Sequence, residues 1–111
     1  MAYDMELAKR IRARMEGLPT LEEKKMFGGV GFLLHGNMAC GVHKNSMIVR
    51  VAPEKHTELM ARPHTRPFDM TGRPMKGWLV VDPEGCRSEE QLDAWVKEGV
   101  DFALSLPPKE K

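Results

Sequence analysis

The chain has 111 residues, a net charge of +1, 41% hydrophobic residues and 30% charged residues. These values exclude a collagen-like or wholly disordered protein, and the length suits one domain with a two-layer core. The acidic start and the lack of a long apolar window predict no signal peptide and no membrane span, so we expect a cytoplasmic protein. We expect one domain over residues 1–108, followed by a tail at 109–111.

The first predicted element is an amphipathic helix over residues 4–15. Apolar residues recur every fourth position from Leu7 to Met15, which gives the helix one apolar stripe. Asp4 is a suitable N-cap, because its side chain can accept hydrogen bonds from free backbone N–H groups. Gly17 is suited to the position just after the last turn, where the backbone becomes left-handed.

Three strands are predicted next, over residues 26–34, 38–43 and 46–51. The short connections between them contain glycine and asparagine, which favour tight turns, so the three strands should form an antiparallel meander. A short helix over 54–62 and a second hairpin over 67–81 follow. The last strand of this hairpin is apolar on both sides, which predicts a central or doubly covered strand.

Side-chain alternation predicts which strand residues face the core. In the second strand, Met38 and Cys40 share the core face and Ala39 points the other way. By the same pattern, Leu33 and Ile48 lie opposite the core. The sheet should therefore carry a second, partly apolar face.

A long helix closes the domain. Ser88 and Gln91 have the spacing of a capping box, and an apolar stripe continues to Leu106. Gly99 lies on that stripe, which predicts close packing of the helix against the sheet. The complete order is helix, three strands, helix, two strands and helix, which predicts a two-layer α+β domain with an antiparallel sheet.

The first predicted strand is interrupted by Gly28, Gly29 and Gly31. A phosphate-binding loop would need a Gly-Lys-Ser/Thr continuation and a helix start, and neither follows. We therefore interpret the glycines as a bulge or bend that turns the strand over the core.

The glycine segment is the first part of a longer sequence motif. The motif continues to a strand with Trp78 and a closing helix with Trp95. Its motif residues are Met26, Phe27, Gly28, Gly29, Gly31, Gly72 and Arg73. In this order they resemble the N-terminal domain of the TfoX/Sxy family, bacterial regulators linked to natural competence. The resemblance implies an α-β3-α-β2-α fold similar to secretion chaperones, and a role in transcription regulation without enzymatic activity. It covers residues 25–106 well and corresponds to a standalone N-terminal domain, without the C-terminal domain of the complete regulators.

The residues that could support catalysis or metal binding do not converge on one site. Cys40 and His43 are three residues apart on one strand, so their side chains should point to opposite faces. We expect Cys40 to be a buried thiol and Cys86, near a helix start, to be an exposed and modestly reactive one. The sequence therefore predicts two free thiols, no metal, no cofactor and no enzyme.

Two kinds of partner remain open. The second sheet face, with Leu33, Ile48 and Trp78, predicts a homodimer or a complex with a regulatory protein. The alternative is weak, phosphate-directed binding of nucleic acid. The basic residues that could contact the phosphates are Arg10, Arg14, Lys24 and Lys25. A small enzyme is a third alternative, but the sequence shows no paired carboxylates or nucleophile to support it.

Overall fold

The computed structural model describes residues 3–18, 20–26, 29–68 and 77–107. These residues form three α-helices, six strands and two 3-10 turns. In chain order they are α1 (Met5–Met15), β1 (Leu21–Met26), β2 (Gly29–Leu34), β3 (Asn37–His43), β4 (Ser46–Arg50), a 3-10 turn (Pro53–Lys55), α2 (His56–Met60), β5 (Thr65–Pro67), β6 (Trp78–Val81), a 3-10 turn (Pro83–Gly85) and α3 (Glu89–Ser105).

The strands form one antiparallel sheet in the order β1-β2-β3-β4-β6-β5. Apolar side chains from all three helices join one sheet face in a single core, which includes Ile11, Phe32, Val49 and Leu92. The predicted two-layer α+β architecture with an antiparallel sheet is therefore confirmed. None of the described helices is long and apolar enough to cross a membrane.

The ends of the long helices follow their local sequence signals. The side chain of Asp4 accepts hydrogen bonds from the first turn of α1, and Gly17 has a φ of 88° just after that helix. Ser88 and Gln91 form the reciprocal hydrogen bonds of a capping box at the start of α3. These predictions succeed because each depends on residues within one helical turn.

The strand predicted over 26–34 is present as β2, which begins at Gly29, but the strand before it was not predicted. That strand, β1, pairs with β2 so that Met26 lies opposite Gly29. The sequence does not predict β1, because the charged residues 22–25 show no apolar alternation. β1 is an edge strand, where charged side chains are favoured since they discourage pairing with another chain.

A register shift between β2 and β3 reverses the sheet faces that were predicted for Met38 and Ala39. Phe32 pairs with Cys40 and Leu33 pairs with Met38, so Ala39 is an extra residue. Ala39 therefore joins the core, whereas Met38 lies with Leu33 on the opposite side of the sheet. The predictions for Met38 and Ala39 are wrong because a bulge displaces the two-residue alternation by one position.

The second hairpin is present among the described residues, with β5 at Thr65–Pro67 and β6 at Trp78–Val81. β5 pairs with β6, and β6 lies between β4 and β5, which confirms its predicted central position. The predicted helix over 54–62 is present as a 3-10 turn followed by α2. The motif residues Gly72 and Arg73 belong to the segment between the two strands and lie outside the described residues.

Candidate functional site

The sheet face opposite the core carries its own apolar group, to which no described helix contributes. Its members are Leu33, Met38, Ile48 and Phe68, with Trp78 and Val80 packed against them. We call these six residues the second cluster. Opposed residues of antiparallel strands share a face, so the pairing of Ile48 with Val80 places both on this side. The predicted apolar second face is confirmed.

The accessibility of this face differs from the prediction. Leu33 is 7% exposed and Ile48 is 3% exposed, so both are buried within the single chain. Trp78 and Val80 are partly exposed. Of the three predicted interface residues, Trp78 alone has a side chain that a partner could contact directly. The accessible part of the second cluster therefore lies on β6.

Trp78 lies in a small aromatic group with an arginine. The guanidinium carbon of Arg50 is 5.2 Å from the centre of the Trp78 ring and 5.3 Å from the centre of the Phe102 ring. Phe68 also lies beside Trp78, with ring centres 5.9 Å apart. Such cation–π contacts stabilise by about 0.5–1 kcal/mol when exposed. The sequence did not reveal Arg50, because its position depends on the register between β4 and β6.

Gly29 of the motif and Gly41 on the facing strand β3 both have a steric role. A Cβ atom on Gly29 would lie 1.9 Å from the carbonyl oxygen of Val42, and one on Gly41 would lie 2.4 Å from the carbonyl oxygen of Val30. Backbone atoms cannot move aside as a flexible side chain can. Side chains at these two positions would therefore force β2 and β3 apart.

The other motif residues have different positions. Met26 ends β1, and Gly31 pairs with Gly41 across β2 and β3. Phe27 and Gly28 lie outside the described residues, as Gly72 and Arg73 do. The described part of the motif thus shapes the sheet.

The family model of the TfoX N-terminal domain matches residues 13–103. This chain belongs to the TfoX N-terminal domain family. The matched segment starts inside α1 and ends inside α3, so it contains the entire sheet of this TfoX domain. A comparison with curated proteins found no match.

Two of the four predicted nucleic-acid contacts in the TfoX domain form ion pairs within the chain. Arg10 contacts Glu89 at 2.8 Å and also donates to the carbonyl oxygen of Arg87. Arg14 pairs with both Glu89 and Asp93. Hydrogen bonds from Arg14 and Arg10 hold the pKa of the Glu89 carboxyl below its usual value. These arginines connect α1 to the start of α3, which reduces the positive charge they present to a polyanion.

The other two predicted contacts, Lys24 and Lys25, are exposed on the edge strand of the TfoX domain. Lys25 lies opposite the core residue Val30, whereas Lys24 lies opposite Gly31. Consecutive strand residues point to opposite faces, so only Lys25 is on the side of α1. Lys24 therefore lies on the other side of the sheet from α1, and nucleic-acid binding through the four basic residues stays a prediction.

Replacing Arg14 with alanine should lower the melting temperature by about 2–4 °C at low salt, with a smaller decrease at 1 M salt because ions screen exposed pairs. The pKa of Glu89 is lowered in the folded state, so its pairing stabilises the domain above its unfolded-state pKa. This contribution is lost as the pH falls through the folded-state value. Lys9→Ala is the matched control on the same helix, since Lys9 is exposed and has no ion pair among the described residues. Equal melting temperatures for both variants would contradict the assigned role of Arg14.

The two cysteines of the TfoX domain are free thiols, and both are buried. Burial raises the pKa of Cys40 to about 12, in agreement with the predicted core thiol. Burial also raises the pKa of Cys86 to about 11, so the prediction of an exposed, reactive thiol is wrong. The helix start near Cys86 does not compensate for its loss of water.

The described residues contain no group of three or more His, Cys, Asp or Glu side chains that could hold a metal ion.

Proposed function

We propose that this TfoX domain is a non-enzymatic regulatory module in the context of bacterial competence, and that it acts by binding another protein. Membership of a family associated with competence regulation supports the regulatory part. The observation that supports protein binding is the partly exposed Trp78, with Val80 beside it and Arg50 against its ring. Tryptophan and arginine are enriched at the energetic centres of protein interfaces.

A second copy of the chain is the partner we propose first. In a symmetric dimer the same patch serves both subunits, so one accessible apolar strip on β6 is sufficient for both sides of the contact. Leu33 and Ile48 would support this interface indirectly, because they are buried on the same sheet face and contact no partner themselves. Their role is to keep β6 and Trp78 in position.

Light scattering across a wide range of protein concentration tests the dimer. We expect a wild-type dimer whose dissociation constant increases about tenfold or more in Trp78→Ala. The control is Leu104→Ala, which truncates a 41% exposed apolar side chain on α3 and should leave the dissociation constant unchanged. Circular dichroism confirms that each variant is folded. A wild-type monomer at every concentration, or equal dissociation constants for both variants, would contradict self-association through β6.

Direct nucleic-acid binding is the second candidate function. The observation in its favour is the pair of exposed lysines, Lys24 and Lys25, on the edge strand β1. The same light-scattering measurement with a random-sequence DNA duplex tests it at low and high salt. Binding to phosphates would increase the measured mass at low salt and lose this effect at high salt, since released counterions drive such binding.

A further inference from the structure

The start of β6 is held by two hydrogen bonds to Gly77, the residue just before Trp78. The backbone N–H of Gly77 donates to Nδ1 of His56 over 2.9 Å, and its carbonyl oxygen accepts from the backbone N–H of Val51 over 2.8 Å. Gly77 is buried, so water does not readily replace a lost protein partner. One histidine side chain and the end of β4 therefore fix both backbone polar groups of the residue that leads into β6.

The backbone of Gly77 makes a tight turn directly before the exposed part of β6. Gly77 has a φ of 89°, and a Cβ atom there would lie 3.1 Å from the carbonyl oxygen of Val51. Trp78 follows at once and pairs with Arg50 of β4. A displacement of Gly77 therefore reaches Trp78 through the single peptide bond that joins them.

His56 accepts this hydrogen bond in its neutral form alone. A neutral imidazole has one N–H donor and one acceptor nitrogen, whereas the imidazolium ion has two donors and no acceptor. Because Nδ1 is the acceptor, the proton of the neutral ring is on Nε2. Histidine is the side chain whose ordinary change of charge falls between about pH 5 and 8. Protonation of Nδ1 would place its new N–H group against the N–H group of Gly77.

The charged groups near His56 are paired with other residues or exposed. α2 packs against the 3-10 turn before it, β5 and β6, and β6 has no titratable side chain. Lys55 of the turn pairs with Glu98 of α3 at 3.7 Å, and Arg66 of β5 pairs with Asp82 at 2.8 Å. The other titratable residues on the turn, on α2 and in the loop after it are exposed, namely Glu54, Glu58, Arg62 and His64. Among the described residues the imidazole has no ion-pair partner, so the hydrogen bond at Nδ1 is the contact that protonation changes most.

We propose that His56 makes self-association through β6 dependent on pH. Protonation removes the acceptor at Nδ1 and leaves the N–H group of Gly77 without its partner, so the start of β6 moves away from α2. Trp78 then loses the fixed position that the interface needs, and the dimer dissociates more readily as the pH falls. This regulation rests on the proposed function, whereas the response of Gly77 to the proton needs a single folded chain.

NMR of the ¹⁵N-labelled chain between about pH 8 and 5 measures the response of Gly77. We expect its amide signal and the indole N–H signal of Trp78 to shift with the same midpoint as the His56 ring. His56→Asn should abolish this shared titration and retain the fold, because the amide oxygen accepts a hydrogen bond and does not titrate. His35→Asn removes a histidine from the turn between β2 and β3 and should leave the titration unchanged. A Gly77 signal that does not follow the His56 ring, or an equal loss of titration in both variants, would overturn the proposal.

Light scattering at about pH 7.5 and 5.5 measures the effect on self-association. We expect the dissociation constant of the wild-type dimer to increase about fivefold or more at the lower pH, because a buried donor without a partner disfavours the ordered state of β6. The constant of His56→Asn should be the same at both pH values. A wild-type constant that does not change with pH, or that changes equally in His56→Asn, would overturn the regulation alone. A chain that is monomeric at every pH would overturn the proposed self-association together with its regulation.

Discussion

Replacing Gly99 with valine is expected to lower the free energy of unfolding by about 3 kcal/mol. A Cβ atom at this position would lie 2.2 Å from the carbonyl oxygen of Ala39 and 2.9 Å from its carbonyl carbon. Both are backbone atoms of a central strand, so the clash requires α3 or β3 to move as a whole. Overpacking of a close-packed core costs about 1–3 kcal/mol, and a rigid backbone neighbour places this variant at the upper end.

Urea unfolding followed by circular dichroism measures this effect. Ala94→Val is the matched control, because it places the same β-branched side chain on an exposed position of α3. Valine has a lower helix propensity than alanine, so the control should lose about 0.5 kcal/mol. If the two variants unfold at the same urea concentration, α3 does not pack closely on Ala39.

The elements that the sequence predicted best are those whose determinants are local. The cap of α1 at Asp4, the capping box at Ser88 and the close approach at Gly99 each depend on signals within one helix. The charged strand β1 gave no such signal, because its place in the sheet comes from pairing with β2. The bulge at Ala39 is likewise a property of two strands in register, which one strand's alternation does not reveal.

For the candidate site, the sequence predicted which sheet face residues occupy but not their burial or their ion pairs. Alternation identified Leu33 and Ile48 as residues of the second sheet face, which the structure confirms. It did not predict their burial, because exposure depends on the packing of the whole chain. The ion pairs of Arg14 with Glu89 and Asp93 also join residues distant in sequence. Periodicity indicates a side chain's face, whereas its partners follow from tertiary structure.

Replacing Ile48 with glutamate is expected to unfold or strongly destabilise the domain, by about 3–5 kcal/mol at neutral pH. Ile48 is 3% exposed on β4, with Gly41 of β3 and Val80 of β6 as its cross-strand neighbours. None of these neighbours carries a charge that could compensate a carboxylate. A charge buried without a partner costs several kcal/mol, because it loses its hydration.

The pH dependence of this variant identifies the cause. Burial raises the pKa of an introduced carboxyl, so the folded state binds a proton more readily than the unfolded state. The destabilisation relative to wild type should therefore be full above the folded-state pKa and decrease as the pH falls toward the unfolded value of about 4.3. Val80→Glu, at a partly exposed position on the same face, should cost less and depend less on pH. If Ile48→Glu instead kept wild-type stability at neutral pH and lost only self-association, Ile48 would be accessible. It would then belong to the interface, as the sequence alone predicts.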